Sequence, residues 1–215
     1  MAIKRKTKQE MERMREAGRL AAETLWRAGK MVEPGVTLIE IDQFVYDFTI
    51  KNNAIPAPLN YHGFPKSACT SVNEVVTHGI PDEYVLKEGD VLNIDITSRL
   101  KGYHGDTSRM FFAGDVSEEA RDICKAARES MWEGIRAVKI GGHFGDIGNV
   151  IQDYADEAGY SVVRDYCGHG IGRGFHEDPL VLHYASNKRG AKFQEGMVFT
   201  IEPVSYTHLT LPTTD

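Results

Sequence analysis

The chain is poor in the features that staple, anchor or link small proteins, and each shortage excludes something. Only three cysteines, Cys69, Cys124 and Cys167, occur among 215 residues, and none forms a CxxC pair. That argues against a disulfide framework or a thiolate zinc knuckle and fits reduced thiols in a cytoplasm. No apolar run approaches the ~18 residues of a membrane span, and no apolar segment follows the basic start as a signal peptide would require. Basic excess is missing too. The net charge is −6 and the pI is near 5.8, which argues against a general nucleic-acid binder. Positive charge gathers only at Lys4, Arg5, Lys6 and Lys8, as a solvated end or a contact for an anionic surface. Nor does a Pro- or Gly-rich stretch long enough for a linker interrupt the text. What remains, 41% hydrophobic and 26% charged residues, is ordinary globular composition. A chain of this length buries roughly 70% of its unfolded surface without a staple.

Hydrophobic periodicity writes two helix pairs. The segment TKQEMERMREAGRLAAETLWRAGK opens with a capping box, Thr7 to Glu10, and sets Met11, Met14, Leu20 and Leu25, with Ala17 and Ala21, near one stripe. After the turn at Glu33 to Gly35, a second capping box, Thr37 to Glu40, starts a helix with Leu38, Ile41, Val45 and Phe48 on one side. The plan returns in SEEARDICKAARESMWEGIRAVK and GDIGNVIQDYADEAG. A slide of 109 aligns Arg19, Arg27, Ala28 and Lys30 with Arg128, Arg136, Ala137 and Lys139, and after a three-residue deletion Ile41 meets Ile147. This is either a two-copy repeat or a coincidence between amphipathic helix pairs, and two copies exclude a solenoid. VLNIDIT alternates strictly, while SRMFF and MVFTIE give further strands. The expected fold class is α/β (α+β), one domain with a largely antiparallel sheet.

The sharpest local signal is NIDITSRLKGYHGDTSRMFF. If the first strand turns back at Arg99 to Gly102, partners sum to 201 and Asp95 stands opposite Asp106. Opposed like charges destabilise a strand pair by up to ~1 kcal/mol even when exposed, so the pair calls for one or two divalent cations as counter-charge, or else for a solvent-facing hairpin. In YCGHGIGRGFHEDPLVLHY, glycines and the imidazoles of His169 and His176 mark a non-helical loop whose backbone approaches something closely. His78, in NEVVTHGIP, ends a short apolar run where a strand would leave the sheet. Glu202 shares a strand face with Thr200 and Val198, before a proline that favours extended backbone. Two Asp, one Glu and one His form an oxygen-rich set suited to Mn, Fe(II), Co or Zn in metal-assisted hydrolysis.

The order NEVVTHGIP, DIT with GYHGDTS, GHGIG with FHE, and TIEP resembles the type I methionine aminopeptidases, a peptidase M24 group, across residues 1–203. The resemblance implies the pita-bread fold, a curved antiparallel sheet with helices on its outer face and two pseudo-symmetric halves. It implies that Asp95, Asp106, His169 and Glu202 bind two divalent ions, and that His78 and His176 contact the substrate and stabilise the tetrahedral intermediate. By the same resemblance Glu202 would double as proton acceptor for the attacking water. A methionine pocket is implied at Tyr61, Phe64, Cys69 and Phe175, with Pro58 and Phe64 standing where close relatives often carry Cys and Tyr. The alternative for this apolar group is plain core. The implied activity is removal of initiator methionine from nascent chains with a small second residue, by a cytoplasmic monomer whose basic start reaches the ribosome surface. The other reading is a catalytically silent pita-bread binding protein.

The end of the chain departs from that family. A fifth ligand, a second glutamate, is expected roughly thirty residues past Glu202, beyond position 215, leaving the domain short of its last strands and weak in metal binding and turnover. VSYTHLTLPT back-translates to a transposon-adaptor sequence, so residues 204–215 are expected to be a non-native tail and His208 is set aside as a ligand.

Overall fold

Helix α1 (Lys8–Gly29) starts where the Thr7 hydroxyl accepts the Glu10 N–H at 3.2 Å and the Glu10 carboxylate accepts the Thr7 N–H at 2.9 Å. Thr37 and Glu40 repeat the exchange at the head of α2 (Leu38–Lys51). The two boxes satisfy backbone donors that a helix start leaves unpaired, which is why both helices begin where the text places them. The computed structural model describes residues 3–207, and these divide into two compact units.

The first unit holds residues 6–117 and 171–176. Its sheet is built on β3 (Val91–Leu100), which pairs antiparallel along its full length with β4 (Tyr103–Phe112). Along the other edge of β3 lie β2 (Cys69–Val72) and β1 (Ile55–Pro56). Leu92, Ile94 and Ile96 alternate into a core shared with Leu25, Leu38, Ile41, Val45 and Leu86, and burying each such side chain stabilises by about 1.5–3 kcal/mol. In α2 the buried fourth position is Thr49; Phe48 is half-buried, stacked on Phe44 at 5.6 Å beneath the Arg27 guanidinium.

The hairpin register corrects one expectation. The turn is the two-residue Lys101–Gly102, both with positive φ (50° and 82°), the left-handed pair that matches the twist of the flanking strands. A tighter turn moves the register by two, so partners sum to 203, as in Asp95↔Ser108 and Thr97↔Asp106. Asp95 and Asp106 are therefore diagonal neighbours and not directly opposed. Because the shift is even, both still project from one face.

The second unit holds residues 3–5, 118–170 and 177–207. Helices α3 (Glu118–Ala137) and α4 (Phe144–Glu157) reproduce the plan of α1 and α2. Adding 109 carries buried Ala17, Ala21 and Leu25 onto buried Ala126, Ser130 and Gly134, and adding 106 carries Leu38, Ile41 and Val45 onto Phe144, Ile147 and Ile151. The repeat thus extends to the buried face of each helix. Phe144, Ile147, Ile151, Val162, Val181 and Phe193 form this unit's core, with Ile3 packed against it. The Arg5 side chain donates to the Glu195 carbonyl at 2.9 Å, so the basic start is tied down at that residue.

Short strands complete the unit. β6 (Gly168–Gly170) pairs with β7 (Glu177–Val181), and β5 (Ser161–Val162) with β8 (Ser205–Tyr206). The predicted strand MVFTIE is instead an extended segment with a single bridge, Phe199↔Gly170. Its neighbour β6 is three residues long and bulged between His169 and Gly170, leaving little edge to pair with. Val204 accepts the Val163 N–H at 2.9 Å, and His208 lies outside the described residues.

Candidate functional site

In the first unit, the carboxylates of Asp95 and Asp106 share one face of the β3–β4 hairpin. Cys69 flanks Asp95 from β2. Burial pushes the Cys69 thiol up to about 12, and the negative charges of Asp95, Asp106 and Asp42 push the same way. Cys69 is thus an inert neutral wall, and the two carboxylates make a concentrated negative field. Gly105, between Tyr103 and Asp106, packs directly on α1: a Cβ there would stand 2.3 Å from the Ala17 carbonyl carbon. This close approach fixes the height of β4 on the helix next to Asp106.

His78 sits past the end of β2, in a loop and not at a strand terminus. Its φ is +55°, and the next residue ties the loop back onto β2, Gly79 N–H to the Ser71 hydroxyl at 3.1 Å and Thr70 N–H to the Gly79 carbonyl at 2.9 Å. A β-substituted residue held in the left-handed region is strained, and such strain gathers at functional positions.

The glycine-rich residues 171–176 pack within this same unit. Gly172 accepts two hydrogen bonds from His104, from the backbone N–H at 2.9 Å and from Nδ1–H at 3.1 Å. Arg173 lies over the Tyr103 ring, 4.7 Å from its centroid, with its Nε 4.0 Å from the Glu10 carboxylate. The Phe175 ring stacks on His104 (5.6 Å, 9° between planes) and on His176 (4.3 Å, 17°). Tyr61 meets Phe175 at 4.9 Å, and its hydroxyl is 2.8 Å from Nδ1 of His176. Of the four residues expected to wall a pocket, Tyr61 and Phe175 are in contact, Cys69 is buried beside Asp95, and Phe64 closes the short helical turn that carries Tyr61. His104, inside the GYHGDTS motif, was missed by sequence reasoning. Its place two residues before Asp106 on the same strand face was the available signal.

In the second unit, β6 carries His169, buried at 6% exposure. Its Nδ1 lies 3.0 Å from the Gly170 carbonyl, which can only accept, so Nδ1 carries a proton and, in the neutral form of the ring, the lone pair falls on Nε2. That Nε2 faces the Glu202 carboxylate at 3.6 Å. Thr200 joins the two: its hydroxyl accepts the His169 N–H at 2.9 Å and donates to Glu202 Oε1. Behind them His183, 1% exposed, accepts the Glu202 N–H on Nε2 at 3.1 Å. Burial pushes its pKa down to about 4, so it is a neutral acceptor. Neither Thr200 nor His183 was singled out as a site residue in the sequence, because each acts through hydrogen bonds to residues distant in sequence, which depend on how the segments meet.

A lone-pair nitrogen beside a carboxylate and two carboxylates on one hairpin face are the donor chemistry of a divalent cation. Within the described residues they come as two pairs, one in each unit, and no group of three His, Cys, Asp or Glu gathers to hold an ion.

Residues 12–212 match the model of metallopeptidase family M24. The chain is 50% identical over 204 residues to the methionine aminopeptidase of Rickettsia prowazekii, covering 95% of this chain and 79% of that protein. The chain belongs to family M24. It is 51% identical over 206 residues to the Salmonella typhimurium methionine aminopeptidase, again over 95% of this chain and 78% of that one. The crystal structure of the Rickettsia prowazekii enzyme superposes with a TM-score of 0.94 at 49% identity, covering 96% of this chain and 84% of that chain. The fold of this M24 chain is accordingly the pita-bread fold, and dependence on divalent metal comes with the family. Among the described residues no helix is long and apolar enough to cross a membrane.

Proposed function

We propose that this chain is a metal-dependent aminopeptidase that removes the N-terminal methionine from nascent proteins, acting in the cytoplasm on chains with a small second residue. The observation that carries the reading is the 50% identity to a methionine aminopeptidase across 95% of the chain. A catalytically silent binding role finds no support among such relatives.

Asp95, Asp106, His169 and Glu202 are the residues that would hold two divalent ions, drawn from Mn, Fe(II), Co or Zn. The His169 tautomer and the paired carboxylates support that assignment. Bound ions supply Lewis acidity toward water and carbonyl at neutral pH. Glu202, whose side chain is 40% exposed, would take a proton from the attacking water. His78 and His176 would donate to the scissile carbonyl as negative charge develops on it. Tyr61, Phe64, Cys69 and Phe175 would receive the methionine side chain.

The test is hydrolysis of a Met-Ala-Ser peptide by the full-length chain supplied in turn with Mn, Fe(II), Co or Zn. Release of methionine that stops on chelation, and is abolished in Asp106→Ala, supports the proposal. No release with any of the four metals, or undiminished turnover by Asp106→Ala, refutes it.

A further inference from the structure

Tyr61 is held in an unusual way for a residue whose only task is to be an apolar wall. Both of its neighbours are non-glycine residues in the left-handed region, Asn60 at φ 66° and His62 at φ 48°. The turn is pinned by the Asn60 N–H to the Phe64 carbonyl (2.7 Å), the Tyr61 N–H to the Pro58 carbonyl (2.9 Å) and the Phe64 N–H to the Tyr61 carbonyl (3.0 Å). Strained backbone persists where surrounding bonds over-determine it, and here they aim one side chain. The Tyr61 ring leans on Phe175 and the edge of His62, and its hydroxyl ends 2.8 Å from Nδ1 of His176. Phe175, stacked on both His104 and His176, braces the imidazole plane.

We infer that the Tyr61 hydroxyl is a positioning group for His176: it donates to Nδ1 and so keeps the imidazole in the tautomer that carries its proton on Nε2. A neutral imidazole has one donor nitrogen and one acceptor nitrogen, and a hydrogen bond at one decides the state of the other. A phenol O–H pointed at Nδ1 selects Nε2–H, the form able to donate to a carbonyl oxygen. The opposite tautomer would present a lone pair to that oxygen and repel it. The inference rests on the reading of His176 as a substrate contact, and assigns Tyr61 a task that its aromatic ring alone does not perform.

Tyr61→Phe keeps the ring and removes only the hydroxyl. With imidazole-15N-labelled full-length protein, His176 is assigned by its loss in His176→Gln, and its tautomer is read from the two ring-nitrogen shifts. The parent should show one tautomer, Nε2–H, and Tyr61→Phe a mixture of both. On Met-Ala-Ser the variant should lose at least about tenfold in kcat with KM within about twofold. A parent ring protonated on Nδ1, or a tautomer unchanged in Tyr61→Phe, overturns the inference. So does an altered tautomer with unchanged kcat. Should the parent release no methionine, the proposed activity fails, while the nitrogen shifts still decide whether Tyr61 sets the tautomer.

Discussion

The backbone N–H of Glu202 donates to Nε2 of His183 at 3.1 Å, so a buried neutral imidazole anchors the chain at a candidate metal ligand. His183→Leu removes the acceptor and leaves that N–H without its partner, which costs about 1–3 kcal/mol. His183→Asn retains a side-chain acceptor and should recover part of the loss. Urea unfolding of both variants measures the difference, and equal stability of the two would show that the hydrogen bond contributes nothing beyond packing.

Thr200 should matter to metal affinity more than to folding. Its hydroxyl orients both His169 and Glu202, and outer bonds of this kind are worth roughly ten- to a hundredfold in affinity. Calorimetric titration of Thr200→Val with Mn should show weakened binding, and Thr200→Ser, which keeps the hydroxyl, should restore it. Parent-like affinity in Thr200→Val would remove Thr200 from the site.

Gly105→Ala places a methyl group into the backbone of α1, against Ala17 and Gly18. Neither side is a flexible side chain, so the strand must lift from the helix. The expected cost is about 1–3 kcal/mol or more, with lower turnover because Asp106 moves with β4. Thermal unfolding and peptide assay together check this; a fully stable, fully active variant would contradict the packing described.

Asp90 gives the stability a defined dependence on acid. Desolvation raises its carboxyl pKa, but the Asn73 amide, the Lys87 N–H and the Tyr84 hydroxyl, at 2.9, 2.9 and 3.0 Å, together outweigh it and hold the pKa below the ordinary 3.8. In the window beneath 3.8 the unfolded chain binds more protons than the folded one. The stabilisation is therefore complete above the unfolded value and is lost as pH falls through the folded one. Asp90→Asn should cost about 1–3 kcal/mol at pH 7, a gap that narrows as pH drops below 3.8. A gap that stays constant down to pH 2.5 would rule out the carboxylate as its source.

Helix starts were legible because a capping box is a local code: Thr7 with Glu10 and Thr37 with Glu40 need only three residues of spacing. Burial was nearly as legible, since Leu92, Ile94 and Ile96 carry the period of a strand in their own order. The common face of Asp95 and Asp106 followed from the same period, but their exact partners did not, because the text shows where a hairpin turns without showing how many residues the turn consumes. MVFTIE reads as a strand by composition, yet strand character also needs an edge, and the bulge at His169 limits the one it meets. The hydrogen bonds of Thr200, His183 and Tyr61 were the least legible. Each joins residues 19 or more positions apart and depends on a side-chain rotamer, and neither quantity is written in a local pattern.

The Lys101–Gly102 turn carries a rule about parity. A strand can slide past its partner by two residues and keep every side chain on its side, so paired insertions or deletions in this hairpin should move Asp106 along the strand without turning it over. Adding or removing a single residue while the hairpin re-pairs would send Asp106 to the opposite surface and bring its neighbour Gly105 or Thr107, neither of which has a carboxylate, into its place. In this hairpin odd changes of length break the acid pair, and even ones only shift it.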